Sequence, residues 1–132
     1  MKNQVLLGTP TSPRFALCPT TVKAGDAVLL GKIPAVALDD YQANYTGTTF
    51  YTNGTYALTV VGESSVSPPV NAVIKPGQAL YYNGGTLDAT TDVTTGGTIS
   101  ADSSGTPFGQ LDPQYQANVG SGLTVAGALV RL

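Results

Sequence analysis

Glycine and proline interrupt this chain every few residues, and that spacing constrains its fold more than any other feature. The 132 residues include 16 glycines and 9 prolines. No window of eleven residues shows the 3.6-residue apolar spacing of an amphipathic helix. The stretches between the breaks are rich in Val, Leu, Ile, Thr and Tyr, which favour strands. The sequence therefore predicts an all-β protein.

Eight segments have the length and composition of short strands. They are residues 27–30, 35–38, 48–52, 56–61, 72–74, 79–82, 108–111 and 123–132. An Asn-Gly pair at Asn53-Gly54 separates the third segment from the fourth, and such a pair tolerates the positive φ angles of a type I′ turn. We therefore expect residues 48–61 to form a tight hairpin within a sandwich or a small barrel.

Three short sequences occur twice, in the same order in both halves of the chain. The matched pairs are residues 22–28 with 74–80, 34–39 with 107–112, and 58–62 with 123–127. One interpretation is a duplicated β unit, in which two similar three-strand units face each other across a pseudo-twofold axis. The other interpretation is that Lys-x-Gly-x-Ala produces the same turn twice, without any duplication.

Two segments lie outside this repeat. Residues 1–19 contain Pro10, Pro13 and Pro19, which exclude a helix and predict an extended N-terminal arm. The arm precedes a single β domain formed by residues 20–132. Inside that domain, residues 84–106 are rich in Gly, Thr, Ser and Asp and predict a long polar insertion loop.

The side-chain chemistry argues against an enzyme or a metal protein. The chain has no His, so the usual general base and the commonest nitrogen ligand for metals are both missing. Cys18 is the only cysteine, and Asp39-Asp40 is the only adjacent pair of carboxylates. Neighbouring residues of a strand point to opposite faces, so such a pair does not converge on one substrate. We expect no catalytic residue, no metal site and no cofactor.

The low charge of the chain narrows the classes of partner. Charged residues make up 11%, the net charge is −2, and the Lys and Arg residues are spread singly, so no basic stripe is available for nucleic acid. No apolar run is long enough for a signal peptide or a membrane span, and we expect a soluble protein made in the cytoplasm. A surface this poor in charge suits a protein that works while assembled on a partner.

Several of these motifs resemble the small capsid decoration proteins, or cement proteins, of tailed bacteriophages. The resemblance is carried by VKAGDAVLLG at residues 22–31, PAVAL at 34–38, IKPGQALYY at 74–82, FGQL at 108–111 and ALVRL at 128–132. The chain departs from the family pattern at Gln78, where an acidic residue is usual, at Gln110, where a small residue is usual, and in the length of its polar insertion.

The resemblance implies a small β-barrel, or a jelly-roll or β-tulip-like sandwich, that binds the outer surface of an icosahedral shell without catalysis or cofactor. The implied partners are the major capsid protein and other copies of the chain, as a trimer in preference to a dimer. The implied location is the virion, after synthesis in the host cytoplasm. The alternative is a receptor- or carbohydrate-binding β-module of a phage fibre or tail, for which seven Tyr and no Trp are available.

The N-terminal arm carries the candidate contacts to the capsid or another partner, namely Val5, Leu6, Leu7, Phe15 and Leu17. Burying one such side chain contributes roughly 1.5–3 kcal/mol, whereas fixing the backbone costs about 1–2 kcal/mol per residue. We therefore expect a second chain to supply part of the surface that orders the arm. The alternative is that residues 5–7 form the first strand of the domain's own sheet.

Overall fold

A computed structural model describes residues 13–62, 74–113 and 124–132, and its regular elements there are all strands. The strands are β1 (Arg14–Leu17), β2 (Ala27–Leu30), β3 (Ile33–Ala37), β4 (Gly47–Tyr51), β5 (Thr55–Val61), β6 (Ala79–Asn83), β7 (Thr86–Asp88), β8 (Val93–Thr95), β9 (Thr98–Ser100), β10 (Thr106–Leu111) and β11 (Thr124–Arg131). This architecture confirms the all-β prediction. Within the described ranges, no helix is long and apolar enough to cross a membrane.

The strands form two sheets that differ in closure. One sheet closes into a five-stranded barrel in the order β10, β11, β5, β9 and β6. The other sheet is open and six-stranded, in the order β1, β4, β3, β2, β8 and β7. Barrel closure depends on β5 lying parallel to β9 at Val60 and Ile99. The molecule therefore combines a small barrel with a second sheet packed against it.

The two Lys-x-Gly turns make the same backbone hydrogen bonds. The Gly25 N–H donates to the Ala37 carbonyl at 2.8 Å, and the Gly77 N–H donates to the Leu111 carbonyl at 2.7 Å. Both glycines have positive φ, 90° and 86°, which residues with a Cβ rarely adopt. Each turn therefore ties the start of one strand to the end of its neighbour in the same way.

The residue after each of these glycines accepts a hydrogen bond that closes the turn. The Asp26 carboxylate accepts from the Lys23 N–H at 2.9 Å, and Gln78 Oε1 accepts from the Lys75 N–H at 3.1 Å. A carboxylate and an amide oxygen both serve as acceptors at this point. The glutamine at position 78 therefore closes its turn as the aspartate at position 26 does.

The equivalence extends from the turns to the strands. The order β1-β4-β3-β2-β8, here named the first unit, matches the order β5-β11-β10-β6-β9, named the second unit. Ala37 lies opposite Phe50 in the first unit as Leu111 lies opposite Val130 in the second. The other neighbouring strands are antiparallel in both units, and their registers correspond apart from shifts between Pro107 and Gly109 and between Val125 and Ala128 in the second unit. The geometry therefore favours a duplicated unit, with five strands in each copy where the sequence indicated three.

A β-bulge explains why one of the sequence matches differs by one residue from the pairing of equivalent positions in the structure. The sequence pairs Ala37 with Gln110, whereas the hydrogen bonds pair Ala37 with Leu111. The register between β6 and β10 shifts at Phe108, which is an extra residue in the second unit. Phe108 is buried and stacks on Tyr82, with ring centroids 5.7 Å apart. The bulge thus adds an aromatic ring to the core of the second unit.

The third sequence match has a different meaning from the other two. Val61 lies opposite Thr124 and Val60 lies opposite Val125, so the two matched segments are neighbours in the barrel. The strand of the first unit that corresponds to β11 is β4, whose sequence is not similar. The likeness between residues 58–62 and 123–127 therefore does not mark equivalent positions.

The hairpin expected at Asn53-Gly54 is wrong, because β4 and β5 belong to different sheets. Gly54 has a φ of 103°, but Asn53 is not among the residues with positive φ, and a type I′ turn needs both. The Tyr56 hydroxyl donates to the Asn53 carbonyl at 2.5 Å, and the Leu132 N–H donates to the Gly54 carbonyl at 2.9 Å. These contacts hold a crossover between the sheets.

The segment predicted as a long polar loop, residues 84–106, carries three short strands. Its strand β8 pairs with β2 of the first unit, and its strand β9 pairs with β6 of the second. Val93 in β8 and Ile99 in β9 are buried, whereas most of the surrounding residues are small or polar. One continuous segment therefore supplies the last strand in the order of each unit, β8 to the first and β9 to the second.

Each unit has its own hydrophobic core, and the open six-stranded sheet lies between the two cores. The larger cluster fills the barrel and includes Leu29 and Val36 from one face of the open sheet. The other face of that sheet contributes to a smaller cluster formed by Cys18, Val22, Val28, Ala35, Ala37, Phe50 and Val93. Burial on both faces fixes the register of this sheet, because a slip of one residue would exchange the two cores.

Candidate partner interface

Part of the predicted N-terminal arm belongs to the folded domain. Residues Arg14–Leu17 pair with β4 as strand β1, and Leu17 lies opposite Gly47. A Cβ atom at position 47 would overlap the carbonyl oxygen of Ala16, so this close approach requires glycine. The domain therefore begins before residue 20, and β1 occupies the place in the first unit that β5 occupies in the second.

Two of the candidate interface residues remain exposed in this strand. Phe15 is 54% exposed and Leu17 is 51% exposed. They are two residues apart and therefore share one face of β1, whereas Ala16 between them packs against the smaller core. The exposed pair forms an apolar surface that the described part of the chain leaves open to a partner.

The backbone of β1 also offers hydrogen-bonding groups on its outer side. The Cys18 N–H donates to the Thr46 carbonyl at 3.3 Å, on the side that faces β4. Because these groups alternate along a strand, those of Phe15 and Leu17 point away from β4. Among the strands that the structure describes, β1 is the terminal one of its sheet. Its outer edge can therefore accept a further strand.

In the second unit, β5 pairs with β9 and closes the barrel. In the described part of the first unit, the two corresponding strands do not pair. The strands that correspond to β5 and β9 are β1 and β8, and β8 pairs with β2 and β7 instead of β1. A cleft of about 360 Å³ borders both strands, and its lining includes Leu17, Leu30, Asp92 and Val93. The edge of β1 therefore stands beside a partly apolar groove.

The remaining candidate interface residues, Val5, Leu6 and Leu7, lie outside the described residues, and their contacts stay a prediction. The sequence also did not separate interface tyrosines from core tyrosines. Tyr56 and Tyr82 are buried, whereas Tyr45 is 68% exposed. Burial raises the pKa of Tyr56 to about 12, with a smaller contribution from the nearby Tyr51. Tyr45 is therefore a surface residue that sequence reasoning did not single out.

The described residues contain no cluster of side chains that could hold a metal ion. No group of three or more His, Cys, Asp or Glu comes together within the described ranges. Cys18 is buried, and this burial raises the pKa of its thiol, which disfavours the reactive thiolate. The carboxylates of Asp88 and Asp102 accept hydrogen bonds from the backbone N–H groups of Thr90 and Ser104, both at 3.0 Å. These two carboxylates therefore stabilise turns.

No protein-family model matches this chain, and neither does any curated protein or solved structure. The chain's own surfaces must therefore indicate its function. The surface with the most features of a protein interface combines the outer edge of β1, the exposed Phe15 and Leu17, and the groove beside β8.

Proposed function

We propose that this chain is a bacteriophage capsid decoration protein, which binds the outer surface of the assembled icosahedral shell and stabilises contacts between capsomers. The main support is strand β1, which presents Phe15, Leu17 and outward-facing backbone groups beside a groove. Apolar side chains together with a strand edge suit recognition of another polypeptide. The proposed role requires neither catalysis nor a cofactor.

The proposed partners are the major capsid protein and other copies of the chain, on the outside of the virion. A strand of the capsid protein would pair with the outer edge of β1 while Phe15 and Leu17 bury apolar surface against it. We assign Val5, Leu6 and Leu7 to the same contact, because they are apolar and precede β1 closely in sequence.

Modest affinity at each site is sufficient for this role. A shell offers many identical sites, and a protein that contacts two capsomers at once gains from effective concentration. A low content of charged residues, 11%, also suits a surface that is covered in the assembled particle.

A receptor- or carbohydrate-binding module is the second candidate. It is favoured by Tyr45, whose exposed ring borders a shallow depression together with Asp39 and Gln42. An aromatic ring beside polar side chains can hold a sugar. Strand β1 favours the capsid role more strongly, because a free strand edge recognises polypeptide backbone and not a sugar.

Cosedimentation with undecorated shells tests the proposal. The unmodified protein should bind the shells of its own phage saturably and should bind no sugar on a glycan array. Phe15→Ala and Leu17→Ala should each weaken shell binding about fivefold or more, since each removes roughly half of a buried apolar side chain's contribution. The matched control is Leu87→Ala, because Leu87 is similarly exposed but lies on β7.

Two outcomes would contradict the proposal. Failure of the unmodified protein to bind the shells would remove the capsid role, and glycan binding in its place would support the second candidate. Shell binding that Phe15→Ala and Leu17→Ala leave unchanged would show that β1 is not the contact surface.

A further inference from the structure

In each unit, one face of the sheet points away from that unit's own core, and we name it the outer face. The outer faces of the two units occupy equivalent positions but differ in burial. In the first unit, Leu29 and Val36 point from this face into the larger core and are buried. The corresponding residues of the second unit are Tyr81, which is half-buried, and Gln110, which is exposed. The second unit thus covers the outer face of the first, while its own outer face stays accessible in the described part of the chain.

This accessible face forms a cleft of about 510 Å³, here named the basic cleft. Its lining includes Tyr81 and Pro107, with Lys32 and Arg131 at exposed positions. None of the described residues that line it has a carboxylate side chain. The cleft therefore offers an aromatic ring and a proline to an apolar group, and two cations to an acidic one.

A surface of the opposite character lies elsewhere on the same chain, and we name it the Tyr45 patch. Tyr45 is 68% exposed, and the depression beside it is also lined by Asp39, Gln42 and Phe15, so the patch adjoins the proposed shell contact on β1. Asp39 is exposed, so its carboxylate is accessible. A protruding tyrosine next to a charged side chain is a typical anchor of protein–protein interfaces.

We propose that the Tyr45 patch of one copy of this chain docks into the basic cleft of a second copy. The Tyr45 ring would lie against Tyr81 and Pro107. The Asp39 carboxylate would face Lys32 and Arg131. This contact forms between free copies of the protein and does not depend on shell binding.

The two surfaces differ, so the contact is head-to-tail. Each copy carries one patch and one cleft, and repeated docking builds either a closed ring or an open chain.

Sedimentation velocity of the full chain tests the proposal. The weight-average mass of the unmodified protein should rise with concentration. Lys32→Glu, Arg131→Glu and Tyr45→Ala should each raise the dissociation constant about tenfold or more, through charge repulsion or loss of the anchor. The matched control is Lys75→Glu, which reverses an exposed lysine in the turn before β6 and should leave association unchanged.

A mixing experiment separates head-to-tail contact from any symmetric contact. An Asp39→Lys, Tyr45→Ala double variant lacks the patch but retains the cleft, whereas Arg131→Glu lacks the cleft but retains the patch. A mixture of the two should form one-to-one dimers that do not grow further. All three substituted side chains are exposed, so circular dichroism should show unchanged folding.

Three results would overturn the proposal. In the first, the unmodified protein stays monomeric up to about 1 mM, a concentration at which even weak association is detectable. That result would mean that the cleft binds an acidic segment of another protein instead of a second copy. The cleft and patch variants could associate as tightly as the unmodified chain. The mixture could remain monomeric. None of these results would alter the cosedimentation of the unmodified protein with shells, which tests the proposed function separately.

Discussion

The hydroxyl of Tyr82 lies 3.3 Å from the carbonyl oxygen of Ala27, and this contact joins the second unit to the first across 55 residues of sequence. The same hydroxyl lies 3.4 Å from the Thr94 carbonyl and accepts a hydrogen bond from the Gly97 N–H at 2.9 Å. One side chain thereby contacts a strand of the first unit and the segment that connects the two units.

Tyr82→Phe is expected to lower the free energy of unfolding by about 1–3 kcal/mol, because the partly buried Gly97 N–H loses its acceptor. Urea denaturation followed by circular dichroism measures the change. Tyr45→Phe is the control, since removal of an exposed hydroxyl should alter stability by less than about 0.5 kcal/mol. Equal stability of Tyr82→Phe and the unmodified protein would mean that this hydroxyl does not help to join the units.

Gly25→Ala and Gly77→Ala should destabilise the protein by similar amounts, about 1–2 kcal/mol each, because both place a Cβ on a residue with positive φ. At Gly77 the nearest atom to the new Cβ is Pro113 Cβ at 3.8 Å, so backbone strain accounts for the cost there. Denaturation of the two variants under the same conditions makes the comparison. Costs that differ by more than twofold would argue against equivalent turns.

Stability should fall at alkaline pH through Tyr56. Its pKa is raised from 10.0 to about 12 in the folded protein, so the fold favours the neutral phenol. The resulting stabilisation is fully present below pH 10 and is lost as the pH rises through 12. Tyr56→Phe also removes the hydrogen bond to Asn53 and should lower stability near pH 8 by about 1 kcal/mol.

Denaturation curves of this variant between pH 8 and pH 12 should therefore decline less steeply than those of the unmodified chain. Parallel declines would exclude Tyr56 as a source of the alkaline loss.

Cys18 should react slowly with a thiol reagent in the native protein. Its side chain is buried and its thiol pKa is raised, so both access and thiolate population are low. At pH 8 the native protein should be labelled at least about a hundredfold more slowly than the protein in denaturant, as expected for labelling through local opening. Rapid native labelling would instead indicate that β1 detaches readily from β4.

The sequence predicted strands well where apolar and β-branched residues are concentrated, as in β2 and β5. It missed β8 and β9, because each is short, lies among Thr and Gly, and carries few buried apolar side chains, among them Val93 and Ile99. β8 also pairs with β2, and β9 pairs with β5, and both of these partners are distant in sequence, so no local pattern records the pairing. The failed hairpin at Asn53-Gly54 has the same origin, since the Leu132 N–H contacts that turn from the other end of the chain.

The candidate interface was predictable only in part. Hydrophobicity indicated Phe15 and Leu17, but their exposure depends on the pairing of β1 with β4, which the neighbouring prolines did not suggest. Tyr45 is exposed, whereas Tyr56, which begins a segment correctly predicted as a strand, is buried. The strand prediction did not specify which of its alternating side chains would face the core.

The shared segment that carries β8 and β9 has a consequence for cooperativity. Only Gly96 and Gly97 separate the two strands, and each strand completes a different unit. A fragment that ends at Gly62 would lack β8, so the N-terminal half of the chain does not contain the complete first unit. Although the architecture is duplicated, neither half can be separated as an autonomous domain, and heat should unfold both in a single transition.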